Sequence, residues 1–214
     1  MAIIQSSADI IKLLQKQYGD DVRTRKDQHL NHITEQVHRL SLLLDDILLL
    51  GKVEEGKIKY APVLDYIDTY VREIIDAHKP IFEPIAIDIT YTVTGKPKKI
   101  HFDKKHMQQI VGNLLSNATK YLPGAKAPEL TIHYGAHDLE LRVKDYGIGI
   151  PDDDKPKLFQ KFTRAKNVGN IHGYGIGLAL VKNLVEMQGG NISFNSVLGK
   201  GTTFIINIPY KTTK

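Results

Sequence analysis

Two glycine-containing segments, D-Y-G-I-G-I-P at 145–151 and H-G-Y-G-I-G-L at 172–178, hold the residues whose types and spacing are suited to chemistry. In the run 139–144, apolar and charged residues alternate, so a strand of period two places Asp145 on the apolar face. A buried carboxylate needs hydrogen-bond donors, and an exocyclic amine such as that of adenine would supply them together with ordered water. The alternative is a glycine-rich hairpin with a solvated aspartate.

The glycines of both segments remove side chains where the backbone turns or where a ligand lies against it. Gly147 and Gly149 belong to the first segment, and Gly173, Gly175 and Gly177 to the second. The second set leads into a run of helical spacing, so it lies at a helix N-terminus, whose free N–H groups favour phosphate. Because no βαβ unit precedes it, the pattern argues against a dinucleotide-binding Rossmann fingerprint.

A third set of polar residues lies on a predicted helix that begins after Asp103, its N-cap, and runs to about Tyr121. Asn113, Asn117 and Lys120 stand at i, i+4 and i+7 and form one polar stripe. Asparagine oxygens suit Mg²⁺, which uses one or two protein oxygens together with substrate phosphates, and the lysine adds a positive charge. The alternative is a solvated polar face.

Strands are predicted on both sides of these motifs. They are expected at 86–93 and 99–102 around a Gly95-Lys96-Pro97 turn, at 130–134 and 139–145 as a hairpin, and at 192–197 and 202–208. A helix is expected at 64–78, and a helical turn at 155–161. Phe159 and Phe162 are predicted to anchor the basic segment 164–172, and the alternation in the last strand points Thr202 towards the same buried site as Asp145.

The N-terminal third has a different character. A helix is predicted for residues 1–18 and a turn at 18–21, and from 26 to 50 apolar residues alternate steps of three and four, the seam of a coiled coil. Its members are Leu30, Ile33, Val37, Leu40, Leu44 and Ile47. Pairing with a second copy in a four-helix bundle would cover this seam, and the alternative is packing against the same chain. His29, His32 and His38 are expected to be surface residues and not a metal site.

Composition excludes several classes of function. The 214 residues contain no cysteine, which excludes disulfides and thiol chemistry. No secretory signal and no apolar run long enough to span a bilayer is evident, so an intracellular location is expected. The net charge is +5, but the basic residues are dispersed among 24 acids, which argues against nucleic-acid binding.

Four segments together resemble the conserved boxes of sensor histidine kinases. N-L-L-S-N-A-T-K-Y at 113–121 resembles the N box, V-K-D-Y-G-I-G-I-P at 143–151 the G1 box, L-F-Q-K-F-T-R at 158–164 the F box and G-Y-G-I-G-L at 173–178 the G2 box. They occur in the family's order, and the N-terminal hairpin is similar to the family's dimerisation and phosphotransfer helices.

The resemblance implies an α+β fold in which a Bergerat-type two-layer α/β sandwich, with a mixed sheet and helices on one face, follows a helical hairpin that forms a dimeric four-helix bundle. Residues 1–55 would be the hairpin and 56–214 the catalytic ATP-binding domain, with Gly51 to Gly56 as the boundary. The implied cofactors are ATP and Mg²⁺. The implied partners are a second copy of the chain and the receiver domain of a response regulator, with no nucleic acid.

The resemblance also implies roles for individual residues. Asp145 would accept from the adenine amino group, with help from Thr202 through water, and Asn117 would ligate Mg²⁺. Asn113 would position metal, water or phosphate and is the candidate catalytic residue, while Lys120 and Arg164 would contact phosphates and Tyr121 the sugar or base. The remaining members of the ATP-binding set are Gly147, Gly149, Gly173, Tyr174, Gly175, Ile176, Gly177 and Leu178.

One departure from the family bears on activity. None of the nine histidines is followed by an H box of the H-E-x-R-T-P-L type, so we expect the phosphoacceptor to be absent from this chain, which would be a fragment of a longer kinase unable to label itself. We expect a cytoplasmic protein that attaches to a membrane only through segments missing here. The alternative function is a nucleotide-sensing dimeric scaffold or degenerate kinase that binds ATP without phosphotransfer.

Overall fold

The computed structural model describes residues 6, 8–11, 23–82, 88–121, 126–169, 171 and 173–210. The chain divides into two compact units, residues 1–51 and 52–214. In the first unit, residues 6 and 8–11 are helical, and helix α1 begins at Arg23 and continues to Glu54 in the second unit. The rest of the helix predicted for residues 1–18, and the predicted turn at 18–21, lie outside the described residues.

Helix α1 carries its predicted apolar seam largely towards solvent. Ile33 and Leu40 are half-buried, whereas Leu30, Val37, Leu44 and Ile47 are exposed, Leu44 to 58%. Burial of such an apolar seam against another apolar surface is favourable, because it removes apolar surface from water. The four-helix bundle that would bury it stays a prediction.

The second unit is an α+β domain. Its elements in chain order are β1 (Val63–Asp65), α2 (Ile67–Phe82), β2 (Thr90–Gly95), β3 (Ile100–Phe102), α3 (Lys104–Lys120), β4 (Glu129–Tyr134), β5 (Asp138–Lys144), α4 (Gly177–Met187), β6 (Asn191–Val197) and β7 (Gly201–Pro209). Five strands form a mixed sheet in the order β2-β4-β5-β7-β6, in which β2 is parallel to β4 and the other neighbours are antiparallel. Strands β1 and β3 form a separate antiparallel pair.

The core lies between one face of the sheet and the helices. Alternate residues of β4, of β5 and, from Thr202 onwards, of β7 are buried and the residues between them are not, so the helices cover a single face. Helix α3 packs against α2, α4 and β5 and carries seven buried residues, Met107 and Ile110 among them. The predicted two-layer arrangement of a mixed sheet with helices on one face is confirmed.

The described structure corrects two of the local predictions. Strands β2 and β3 do not form a hairpin around Gly95, because β2 pairs with β4 and β3 pairs with β1 in a different sheet. Leu64 lies in β1 opposite His101, and α2 begins only at Ile67, so pairing between distant segments overrides the local helical pattern. Residues 83–87, where the predicted strand was to begin, lie outside the described residues.

The segments that flank the glycine motifs were predicted correctly. Asp103 is the N-cap of α3, and its Oδ1 accepts from the backbone N–H groups of Lys105 at 2.9 Å and His106 at 3.1 Å. Strands β4 and β5 form the predicted hairpin, closed by the N–H of Gly135, which donates to the carbonyl of Asp138 at 2.9 Å. Together these elements bring the end of α3 and the end of β5 to the same end of the sandwich.

Candidate functional site

The carboxylate of Asp145 lies directly after β5, on the buried face of the sheet, and is 8% exposed. Its Oδ1 accepts from the N–H of Gly147 at 2.8 Å and from the N–H of Thr202 at 3.1 Å. Its own N–H donates to the carbonyl of Thr202 at 2.8 Å, which continues the β5–β7 ladder by one residue. The position predicted for Asp145 is therefore confirmed, and that of Thr202 beside it as well.

The hydrogen bonds of this carboxylate are unevenly shared between its two oxygens. Within the part of the chain that the structure describes, the N–H groups of Gly147 and Thr202 both donate to Oδ1, and no group donates to Oδ2. Burial raises the pKa of Asp145 above its ordinary value, and the two backbone donors offset only part of that rise. A neutral donor held against Oδ2 would satisfy the remaining acceptor, which suits an exocyclic amine.

The glycines after Asp145 allow the loop to touch two other elements. A Cβ at Gly147 would collide with the carbonyl oxygen of Tyr121, the C-cap of α3, and the N–H of Ile148 donates to that same oxygen at 3.1 Å. Gly149 has a φ of 65°, and a Cβ there would collide with the carbonyl of Val197. The two glycines are thus required by close backbone packing, which holds the loop between α3 and β6.

Helix α3 presents its polar stripe beside the second glycine segment. Asn113 is half-buried, and its Nδ2 donates to the carbonyl of Gln109 at 3.0 Å. Gly177 is the first residue of α4. The Asn113 Oδ1 lies 2.6 Å from the point where a Cβ of Gly177 would be, so Asn113 occupies space that any side chain at position 177 would fill. Asn117 is half-buried one turn further on, and Lys120 is exposed at the end of the helix.

Helix α4 begins within the second glycine segment, as predicted. Its N-cap is Ile176, which is buried and supplies no side-chain cap, so the first N–H groups of α4 receive no hydrogen bond from the capping side chain. Gly175 has a φ of 70°, and a Cβ there would lie 2.5 Å from the carbonyl oxygen of Thr163. Leu178 is half-buried in the first turn, and Tyr174 is exposed.

The F-box segment is attached to the glycine loop through its backbone. The N–H of Phe162 donates to the carbonyl of Gly175 at 2.8 Å, and Phe162 adopts a φ of 59°. Phe159 packs edge-on against Phe194, with ring centroids 5.7 Å apart, as an anchor should. Phe162 is 68% exposed, so its prediction as a second anchor was wrong: the main chain and not the ring ties this segment to the loop.

Arg164 and Tyr121 lie near one another at the edge of the site. Burial raises the pKa of Tyr121, and the positive charge of Arg164 offsets part of that rise. The guanidinium donates to the carbonyls of Ile171 and Gly169 in its own segment. The Tyr121 hydroxyl is 3.5 Å from the position of a Cβ on Gly173, so Gly173 lies beside the C-cap residue of α3.

Several buried or half-buried polar residues that support the site were not predicted. Ser196 on β6 lies opposite Thr202, and their hydroxyl oxygens are 2.9 Å apart. Asn167 donates to the carbonyl of Gly149 at 2.8 Å, and buried Asp154 accepts from the N–H of Lys166 at 2.7 Å. In β6 the alternation of inward and outward residues could have predicted that Ser196 points inward. Asn167 and Asp154 lie in two short 3-10 helices, and the sequence pattern gave no signal for either.

The donor set suits a metal that needs few protein ligands. Among the residues that the structure describes, no group of three or more histidines or acidic residues could hold a metal ion. The amide oxygens of the α3 stripe agree instead with Mg²⁺, which keeps water and binds substrate phosphates.

In the same described part of the chain, no helix has the length and apolar content needed to cross a membrane.

Comparison with known proteins identifies the family. Residues 102–212 match the model described as histidine kinase-, DNA gyrase B-, and HSP90-like ATPase. The chain belongs to this family, as a sensor histidine kinase catalytic domain. Sensor protein kinase WalK of Staphylococcus aureus is 32% identical over 189 residues, which are 85% of this chain and 44% of that protein. For WalK of strain JH9 the covered share is 30%, so the chain spans less than half the length of these curated relatives.

Solved histidine kinases share the fold. AdeS of Acinetobacter baumannii has a TM-score of 0.70 at 21% identity over 98% of both chains. Full-length ShkA in complex with AMPPNP has a TM-score of 0.74 at 22% identity, covering 99% of this chain and 46% of that one. ThkA in complex with the response regulator protein TrrA has a TM-score of 0.74 at 21% identity, covering 97% and 59%.

Proposed function

We propose that this kinase domain binds Mg-ATP between α3, the Asp145 loop and the N-terminus of α4. The observation that supports this most directly is the Asp145 carboxylate, which is buried and, among the described residues, accepts from two backbone N–H groups, both at Oδ1. The adenine amino group would donate to Oδ2, and Thr202 would assist from the neighbouring strand. Tyr121 would lie against the sugar or base.

The phosphates would lie at the other side of this pocket. The first N–H groups of α4, which receive no hydrogen bond from the side chain of the N-cap Ile176, favour anions, and Gly173, Gly175 and Gly177 lead into this helix. Lys120 and Arg164 would add positive charge. Arg164 now donates to carbonyls of its own segment, so contact with a phosphate requires it to exchange those acceptors.

The amide oxygen of Asn117 would ligate Mg²⁺, and Asn113 would position the metal, a water or the phosphate. When bound, the ion neutralises charge on the transferring phosphoryl group. Asn113 is held for this role by its bond to Gln109 and by the space that Gly177 leaves. We assign the reaction as transfer of the γ-phosphoryl to a histidine and from there to an aspartate of a response regulator receiver domain.

The N-terminal unit would supply the dimer contact. We assign residues 1–55 to a helical hairpin that pairs with a second copy in a four-helix bundle, and 56–214 to the catalytic domain. The exposed apolar seam of α1 supports this, because dimer burial would remove it from water. The same proposal includes a cytoplasmic location, and it expects none of the nine histidines of this chain to be the phosphoacceptor.

Calorimetric titration with ATP, in the presence and absence of Mg²⁺, tests the binding step. The expected result is saturable one-site binding that Mg²⁺ strengthens. An absence of binding at millimolar ATP would contradict the proposal. If binding is confirmed, phosphotransfer to a phosphoacceptor helix supplied in trans then separates a kinase from a scaffold that only binds nucleotide.

A further inference from the structure

Ser196 lies behind the proposed adenine site and makes three contacts there. It is 8% exposed, and the N–H of Ile150 donates to its Oγ at 2.9 Å. Its Oγ lies 3.1 Å from the carbonyl oxygen of Gly201 and 2.9 Å from Oγ1 of Thr202, which is 6% exposed. The side chain therefore connects the Asp145 loop, through Ile150, to the start of β7.

The proton count of a serine decides how these contacts are made. A serine hydroxyl has one proton to donate and two lone pairs to accept with, and the Ile150 N–H occupies one lone pair. The carbonyl of Gly201 can only accept, so the Ser196 proton must point to it for that contact to be a bond. The second lone pair of Ser196 then accepts from Thr202. This is the one arrangement in which all three contacts are hydrogen bonds.

The opposite arrangement leaves one contact unfavourable. If Ser196 donated to Thr202, its Oγ would face the Gly201 carbonyl at 3.1 Å with no proton between the two oxygens. A buried pair of acceptors in such contact is repulsive, and the carbonyl would lose a donor. The geometry therefore requires the Thr202 hydroxyl to donate its proton to the Ser196 Oγ.

We propose that Ser196 is a positioning residue that makes Thr202 present only lone pairs to the nucleotide base. Thr202 lies beside Asp145, to which its N–H donates at 3.1 Å, and an ionised Asp145 also offers only acceptors. The wall of the site then consists of two acceptors side by side. Such a wall accepts a base edge that carries an amine, directly or through water, and disfavours one that carries a carbonyl, so Ser196 increases the preference for adenine over 6-oxopurines.

This inference rests on the proposed nucleotide site, and the experiment separates the two. Dissociation constants for ATP and for ITP, which has a carbonyl in place of the amine, are measured for the wild type and for Ser196→Ala. In Ser196→Ala the Thr202 hydroxyl no longer donates to Ser196, so its proton can point into the pocket and donate to a carbonyl of the base. The ratio of the ITP to the ATP dissociation constant is therefore expected to fall about fivefold, the effect of one hydrogen bond. Failure of the wild type to bind either nucleotide would refute the site itself.

Two further variants show whether the effect passes through Thr202. In the Thr202→Val background, adding Ser196→Ala is expected to leave the ratio unchanged, since no hydroxyl remains to be oriented. Ser193→Ala, an exposed serine on the same strand, is the matched control and should alter neither constant. If Ser196→Ala does not fold, Ser196→Cys is measured in its place. Equal weakening of ATP and ITP by the Ser196 variant would overturn the proposal, because it would indicate a purely structural role.

Discussion

At the scale of one residue, Asp145 illustrates how a group that binds a ligand can lower the stability of the fold. Its carboxylate is buried beside two backbone donors, and burial raises its pKa. The ionised form is the one that can accept from an amine, although burial disfavours that form. The same group should therefore favour binding and disfavour folding.

Asp145→Asn is expected to weaken ATP binding and to stabilise the ligand-free protein. Loss of the acceptor leaves the base amine unpaired, at about 1 to 3 kcal/mol, or roughly tenfold to a hundredfold in affinity. Calorimetric titration gives the affinity, and thermal unfolding without nucleotide gives the stability. Asp152→Asn, at an exposed carboxylate, is the control. Unchanged ATP affinity would remove Asp145 from the pocket.

The pH dependence of these two effects follows from the raised pKa. ATP affinity of the wild type should decrease as pH falls through the raised folded-state pKa, because the protonated carboxyl no longer accepts from the amine. The folded-state pKa lies above the unfolded one, so protonation stabilises the fold in that window. The stability advantage of Asp145→Asn should therefore shrink as pH falls, and an advantage independent of pH would show another cause.

Asn117→Ala is expected to weaken ATP binding more in Mg²⁺ than in EDTA. Asn117 is proposed to act through the metal, so its removal should reduce ATP affinity most when the metal is present. Titrations of ATP in the two buffers measure the difference. Gln108→Ala, at an exposed position on the same helix, should leave both affinities unchanged. Equal losses in the two buffers would assign Asn117 a structural role or a direct nucleotide contact.

At the scale of elements, the sequence predicted those structures whose signal is local. The stripe of α3, its Asp103 cap and the alternation in β5 and β7 follow from period and capping alone, and they placed Asp145 and Thr202 together. The pairing of β2 with β4, and of β1 with β3, depends on contacts distant in sequence. The prediction that Phe162 is an anchor was wrong for a related reason, since its φ of 59° and its hydrogen bond to Gly175 depend on another segment.

Asp103 joins three elements and should be sensitive to small changes. Its Oδ1 caps α3, its Oδ2 accepts from the N–H of Ala61 at 2.8 Å, and its own N–H donates to Gln188 at 3.3 Å. Asp103→Ala should lower the free energy of unfolding by about 1 to 3 kcal/mol, because it removes the cap and leaves buried donors unpaired. Urea unfolding measures this.

Asp103→Asn is the informative companion of that variant. Its amide oxygen can still cap α3, but its NH₂ group cannot accept from Ala61, so the loss should be smaller and hydrogen exchange at the Ala61 N–H should accelerate. Asp153→Ala, at an exposed acid, should have no effect on unfolding. Equal stability of wild type and Asp103→Ala would show that the cap and the Ala61 contact contribute nothing to the domain.

At the scale of the whole molecule, the proposed kinase reaction would use both the catalytic unit and the helical unit. The proposed dimer should depend on the α1 seam, so Leu40→Glu and Leu44→Glu would place charges in a buried interface and release monomers. Light scattering at micromolar concentration measures the mass. Asn31→Glu, exposed and away from the seam, should leave the dimer intact. A monomeric wild type at high micromolar concentration would contradict the proposed bundle.

The last prediction concerns the nucleotide pocket and the phosphoacceptor, which are separate parts of a phosphoryl transfer reaction. A chain with the pocket and without an H box should bind ATP yet acquire no phosphate, because the pocket positions the γ-phosphoryl but supplies no nucleophile to receive it. Incubation with γ-labelled ATP, followed by acid and base treatment, is the measurement, since phosphohistidine is labile to acid and stable to base. Calorimetry on the same preparation must show ATP binding, so that an absence of label reports the missing acceptor and not an empty pocket. Stoichiometric acid-labile label on any of the nine histidines would place the acceptor within this chain.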